Sequence, residues 1–379
     1  MLIALGLVAL NLRPAVTSIG PLLDEISASL GFGPAAKSAL TTVPVLCFGI
    51  AGPIGPLLGR RFGAENVILV ALLAVVAGCA MRVIPSGAVL YMSAVLAGCA
   101  IGIMNVLLPG IVKRDFPQRV GAVTGFYTMV LCVGAGGAAA LAPQVELRLG
   151  TSWPGALAIW AILALVAVPA WLPMPRHFHS APRAAPTVGG SLWRNALAWQ
   201  VTLYLGLCSA SAYSVFGWGA KILQDRGMDK ADSGLMLGLS ILVQGAGAQV
   251  APLLTGKSGD LRGSALLMQL LGLIGLFGYL FAPVGLMWLC SVLLGLGQGG
   301  AFAIALTMIA QRGGNPEAAA RLSGMSQSVG YVMGAMAGPL AVGLVHDGFG
   351  GWPPVAVLFV VITVGAALFA LGAGRVRTV

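Results

Sequence analysis

"MPRHFHSAPRAAPTVGGSLWRN" (residues 174–195) interrupts an otherwise apolar chain near its midpoint. Pro, Gly, Ser and basic residues crowd it, which is the composition of a solvated connector. The chain on either side is different in kind. Over all 379 residues, 58% are hydrophobic and 8% charged, with a mean hydropathy of +0.95. Soluble domains carry about 25% charged residues, so this chain lacks the charge to cover a water-facing surface. It reads as an integral membrane protein in which 174–195 links two halves, 1–173 and 196–379.

A bilayer core of about 30 Å takes roughly 20 apolar residues to cross as a helix. Runs bounded by charges, Pro and Gly predict twelve spans, near 1–23, 38–58, 66–84, 88–112, 120–143, 153–173, 196–219, 233–255, 263–282, 285–310, 322–345 and 354–374. Six fall on each side of the connector. The first run lacks a basic n-region and is too long for a cleaved signal, so it is expected to stay as a span. The 55 glycines suit helices that approach one another closely.

Charge placement predicts orientation. The even-numbered loops and the C-terminus hold fourteen basic residues against four acidic ones; the odd loops hold six against seven. Under the positive-inside rule both termini are cytoplasmic. The net charge of +10 is thereby a topology signal, with no nucleic-acid partner implied. One charge belongs to no loop: Arg13, in "LNLRPAVTSIGPLLDEI" (10–26), next to the helix disruptor Pro14. No Asp, Glu, Lys or His accompanies it at mid-depth.

The halves resemble each other at a shift of about 196 residues. "PLLGRRFG" (56–63) matches "PLLTGKSG" (252–259), and "AVLAGCAIG" (94–102) matches "SVLLGLGQG" (291–299). Parallel six-helix halves are the layout of major-facilitator transporters, with a midplane site between them. Four stretches go further: residues 10–26, "LPGIVKRDFP" (108–117), "GLGQGGAFAIALT" (295–307) and "GPLAVGLVHDGFGGW" (338–352). With these the chain resembles the cyanate and nitroimidazole transporter family of the major facilitator superfamily, through all twelve spans. Two departures stand out. "GPLLGRRFGAE" (55–65) lacks the aspartate usual in the superfamily's loop after helix 2, and Cys208 stands where the family pattern leads one to expect glutamine.

The resemblance implies that helices 1, 4, 7 and 10 line a central cavity, which would put Arg13 in it. Burying an arginine in a bilayer costs about 3 kcal/mol or more, and an uncompensated guanidinium favours an anion, its planar fork suiting a carboxylate or similar group. The competing reading is a structural arginine bonded to carbonyls at a helix break, since Pro14 leaves the carbonyl of Leu10 without its donor. Asn105 and Gln298 stand at repeat-related depths, as site residues or as interhelical links. Tyr127, Tyr204, Tyr213 and Gln244 are mid-helix, and Gln327 and Tyr331 share a face with Ser323. Tyr204 and Tyr213, nine positions apart, point to opposite sides, so at most one is expected in the cavity. Asn11 is expected to bond another helix.

Arg60, Arg61, Lys113 and Arg114 crowd the cytoplasmic helix ends near Glu65 and Asp115, with Asp260 in the matching second-half loop. They are candidates for ion pairs that close this side when the carrier faces outward; a plain topology signal is the alternative. The remaining chemistry is sparse. Six cysteines lie inside spans without a ligand pattern, and His177 and His179 lack metal-ligating partners. The serines have no buried base. No enzyme activity, metal or cofactor is expected. The expected protein is a monomeric multi-pass carrier of the cell inner membrane, moving a small anion (cyanate-like or a carboxylate) or a nitroimidazole-like solute by alternating access. A multidrug-type exporter of neutral compounds and a channel or sensor on a transporter scaffold are the alternatives. Asp24 and Glu25, the carboxylates nearest Arg13, are expected in water, so uniport or anion exchange is expected, with binding insensitive to pH between about 6 and 8.

Overall fold

The computed structural model describes residues 1–174, 192–254 and 259–379. Most of the connector therefore lies outside the described residues, with Arg176, His177, His179 and Arg183, as does Lys257 in the second repeat stretch. At the connector's end, Asn195 caps the next helix by accepting from the N–H groups of Leu197 (2.8 Å) and Ala198 (3.2 Å).

Among the described residues all regular structure is helical, as expected. Eleven segments are long and apolar enough to cross a membrane: α1 (Leu2–Leu30), α2 (Pro34–Ala51), α3 (Ala64–Met81), α4 (Gly87–Asp115), α5 (Val120–Leu149), α6 (Trp153–Trp171), α8 (Lys230–Leu253), α9 (Arg262–Phe281), α10 (Val284–Arg312), α11 (Glu317–Phe349) and α12 (Trp352–Ala373). The seventh expected span, α7 (Ala196–Asp225), is a helix of 30 residues that falls short of that group because its apolar run is diluted by small and polar residues. Several helices exceed the hydrocarbon thickness: at 1.5 Å per residue, the 29 residues of α4 reach about 44 Å.

α1 is not one helix. Its first piece ends at Leu10, a second begins at Pro14, and a tighter turn follows at Gly20–Leu22 around Pro21. Proline at a helix start costs nothing, because its missing N–H would have had no intrahelical partner. Neighbours stitch the break shut. Asn11 Nδ2 donates to the carbonyls of Leu7 (2.8 Å) and Leu163 on α6 (3.2 Å), so it bonds another helix as expected. Thr17 Oγ1 donates to the carbonyl of Ala135 on α5 (2.8 Å).

The C-terminus packs on the loops before α9 and α11, through Leu261 N to Gly374 O (3.0 Å) and Val379 N to Arg312 O (2.9 Å). We call this the termini face, and the opposite one, where Trp153 Nε1 donates to Ser29 Oγ (2.7 Å), the distal face. Two seams join the first six helices to the last six. In the α5–α8 seam a Cβ on Gly238 would lie 2.6 Å from the Gly136 carbonyl oxygen and 2.7 Å from Ala140 Cβ, so nothing larger than hydrogen fits. In the α2–α11 seam Gly49 faces the Ser328 carbonyl in the same way, at 2.7 Å. The buried apolar side chains form two clusters. The larger one runs through the whole first half and crosses into the distal part of the second, reaching Trp218, Leu237, Tyr279 and Val342. The smaller, with Leu205, Met268, Ile304 and Leu322, is confined to the termini end of the second half. Between the two inner ends is a gap.

Candidate substrate-binding cavity

That gap is a cavity of about 670 Å³. Its wall extends from Arg13 in the break of α1 to Val120, Pro252 and Gln311 at helix ends on the termini face. Helices α1, α4, α7 and α10 line it, and so do α5, α8 and α11, which the expectation of four lining helices left out. Eight of the nine candidate site residues are in the wall: Arg13, Asn105, Tyr127, Tyr213, Gln244, Gln298, Gln327 and Tyr331. Among the described residues, no Asp, Glu, Lys or His lines it.

Tyr204 is the exception. It is fully buried in the smaller core, with its hydroxyl donating to the Ala301 carbonyl at 3.3 Å. The reason is angular: nine positions at 100° put it opposite Tyr213, and Tyr213 takes the cavity side. One turn further on, Cys208 accepts from Gln269 Nε2 at 3.2 Å.

Arg13 is 7% exposed, and its Nη1 has no hydrogen-bond partner among the described residues. Its guanidinium carbon lies 5.2 Å from the Phe48 ring centroid and 5.4 Å from that of Tyr213. Those rings form an aromatic cluster with Tyr331, at centroid separations of 5.9, 6.1 and 6.3 Å. Cation–π contacts return about 0.5–2 kcal/mol each, whereas removing one side of a buried ion pair costs about 3–5 kcal/mol. The rings hold the charge in position without neutralising it. No carboxylate is at hand, and the carbonyl bonds required by a purely structural arginine are absent at Nη1.

Two further donors in the same wall are unpartnered, Asn105 Nδ2 and Ser209 Oγ. The remaining amides are held by neighbours. Gln244 Nε2 donates to Gln298 Oε1 (3.2 Å) and Gln298 Nε2 to Ser211 Oγ (3.0 Å), tying α8, α10 and α7 together, while Gln327 donates to Ser323 Oγ (2.8 Å). Ser209, Phe48 and Phe302 were missed in the sequence. Ser209 was findable, standing four residues before Tyr213 on one helix face; Phe48 was not, being one aromatic among many apolar neighbours.

Among the described residues, the ion pairs of the expected gating residues stay within one half. Arg114 pairs with Glu65 and with Asp115, each at 2.6 Å, all within the first half. Asp260 pairs with Arg262 two residues on (2.6 Å), and that guanidinium lowers its carboxyl to about 2, so it stays charged at any working pH. Arg60 and Lys113 are exposed, and Arg61 lies over the Phe62 ring (5.1 Å); none of the three forms an ion pair among the described residues. The cross-half pairs are on the distal face instead. Lys230 contacts Glu25 (2.6 Å) and Glu146 (2.5 Å), and Lys221 contacts Asp24 (2.9 Å). Asp24 and Glu25, expected in water, are thus bonded across the molecule. Arg82, counted with the loops, is 1% exposed, with Nε donating to Ser93 Oγ at 2.7 Å.

A polytopic helical bundle in two six-helix halves around a central cavity is the architecture of secondary transporters. The chain belongs to the major facilitator superfamily, whose family profile matches residues 5–243 and 218–377. Within it, the chain is 38% identical over 375 residues to the 2-nitroimidazole transporter of Escherichia coli (strain K12), covering 97% of this chain and 94% of that one. It is 31% identical to the cyanate transport protein CynX of the same organism over 338 residues, 89% of this chain and 88% of that one. The membership expected from residues 10–26 and 338–352 is therefore met. Among solved structures, the nucleoside transporter NupG superposes with a TM-score of 0.77 over 98% of both chains at 13% identity, a likeness of fold.

Proposed function

We propose that this protein carries a small, acceptor-rich solute, an anion or a nitro-bearing heterocycle, by alternating access, with the termini face cytoplasmic. The observation that carries the reading is Arg13: a buried guanidinium whose Nη1 has no partner and whose cavity wall has no carboxylate among the described residues. Asn105 Nδ2 and Ser209 Oγ add two unsatisfied groups to that wall. Unmet buried donors cost about 1–3 kcal/mol each, more when charged, and a ligand rich in acceptors relieves all three. The relatives' named solutes fit this chemistry. Cyanate is a small monoanion, and a nitro group presents two coplanar oxygens as a carboxylate does. The excess of basic residues in the even loops supports the orientation. With no titrating acid in the wall, solute binding depends little on pH between about 6 and 8.

The test is a thermal-shift screen of purified protein with cyanate, small carboxylates and 2-nitroimidazole, followed by uptake into proteoliposomes. A ligand of the native state raises Tm through mass action. The active solute is expected to stabilise the wild-type protein, Arg13→Lys less, and Arg13→Ala not at all, at wild-type expression. Affinity should fall about a hundredfold in Arg13→Ala, since a charged hydrogen bond contributes about 1.5–3 kcal/mol. Normal transport by Arg13→Ala would overturn the reading.

A further inference from the structure

Lys230, the first residue of α8, stands between two carboxylates from the other half, Glu25 on α1 (2.6 Å) and Glu146 on α5 (2.5 Å). Among the described residues it is the one base in ion-pair contact with either. Their side chains are 30%, 32% and 10% exposed, so Glu146 is the most enclosed of the three. The neighbouring charges are committed elsewhere. Lys221 bonds Asp24 and its own-helix Asp225, and Asp24 also faces Lys37 at 3.5 Å. Arg226 donates to the carbonyls of Tyr279 (2.9 Å) and Ala282 (2.6 Å), and Asp229 caps α8 at the N–H of Asp232 (2.7 Å). His346 pairs with Asp347 (2.8 Å), and Trp352 Nε1 donates to Asp225 (3.0 Å). Arg148 follows Glu146 at the exposed end of α5.

The arrangement is lopsided in a way that matters when the distal face opens. The ammonium belongs to one half and both carboxylates to the other. Opening takes Lys230 away and leaves Glu25 and Glu146 together, two acids that had touched one nitrogen. Like charges held that close share a proton instead of both ionising.

We propose that Glu25 and Glu146 form a proton-binding site at the distal gate, filled by the Lys230 ammonium when the gate is closed and by one proton when it is open. The sign follows from linkage. The open state binds more protons than the closed one, so acid on the distal side favours opening, by at most about tenfold per pH unit for one proton. On closing, Lys230 displaces the proton to the side it came from. Turnover then varies with distal pH, while a proton gradient alone drives no accumulation. This rests on the alternating-access reading above and is independent of which solute is carried.

The experiment places probes on non-native residues at Ala28 and Phe349, both exposed and on opposite halves of the distal face, and measures their separation by pulsed electron resonance. Between pH 8 and pH 5 the open population of the wild-type protein is expected to rise about fivefold or more. In Glu146→Gln the response should be flat, because Lys230 retains Glu25 but opening no longer leaves two acids side by side without their ammonium. Asp24→Asn should shift the balance and keep the slope. If Glu146→Gln fails to fold, Glu25→Gln carries the same expectation. A wild-type slope retained in both glutamine variants, or no wild-type slope while Lys230→Ala opens the face, overturns the proton site and leaves alternating access standing. A distal face that stays closed at every pH, with every solute and in Lys230→Ala, overturns alternating access itself.

Discussion

Both ends of the bundle carry charged side chains, and they use them in opposite ways. At the distal end the halves share one hydrophobic core, Gly136 and Gly238 meet backbone to backbone, and lysines of the second half reach acids of the first. At the termini end each half keeps its own core, and the ion pairs among the described residues, Arg114 with Glu65 and Asp260 with Arg262, stay inside a half. The difference teaches where closure is held. Charges that pair within a half ride with it as a rigid unit; only those that pair across halves resist separation.

The harshest way to break this contrast is to put bulk into the distal seam. Gly238→Leu has nowhere to place its side chain, and overpacking of this kind costs about 1–3 kcal/mol or more. We expect transport to be lost and the Ala28–Phe349 separation to stay long. Gly137→Leu, on α5, the other helix of that seam, but with no atom within 4 Å of its Cβ position, should transport normally. If both variants behave alike, the seam is not what closes the face.

A gentler intervention is Lys221→Ala. It removes the bond to Asp24 while Lys230 keeps its two acids. A partly exposed ion pair contributes about 0.2–1 kcal/mol, so the open population should rise about two- to fivefold in the same distance measurement. No change would show that the Lys230 triad alone holds the gate.

The smallest effect on the balance is expected at the other end. Arg114→Ala breaks a pair that lies wholly in the first half, so Tm should fall by about 1 °C or less while the distance distribution is unchanged. A shift toward either open state would mean that the termini-face charges already act between the halves.

Much of this was legible from sequence because a bilayer punishes polar residues and so makes them conspicuous. Arg13, Asn105, Gln298 and Tyr331 stood out against apolar neighbours, and the cavity contains them. The angular argument said that Tyr204 and Tyr213 part ways; only packing against Ala301 decided which one left. Loop charges were harder. Lys221, Lys230, Asp24, Glu25 and Glu146 count toward the expected topology, yet nothing in their spacing says that a lysine of one half meets acids over 80 residues away. Partner choice among charges in water is a tertiary fact. Arg82 shows the same limit, a loop charge by counting and a buried one by packing.

The break in α1 also has an electrical side. It seats a permanent positive charge in the membrane interior, where the applied field falls across whichever end of the cavity is shut. When access switches, the field drop moves from one side of Arg13 to the other, so the charge crosses part of the voltage without moving far in space. A charge that crosses the whole field at 100 mV gains or loses about 2.3 kcal/mol. Paired with a monoanion, the site is neutral and the loaded protein switches in electrical silence. Empty, it does not. If the solute is a monoanion, as proposed above, membrane voltage acts on the unloaded form and sets the side on which it waits for solute.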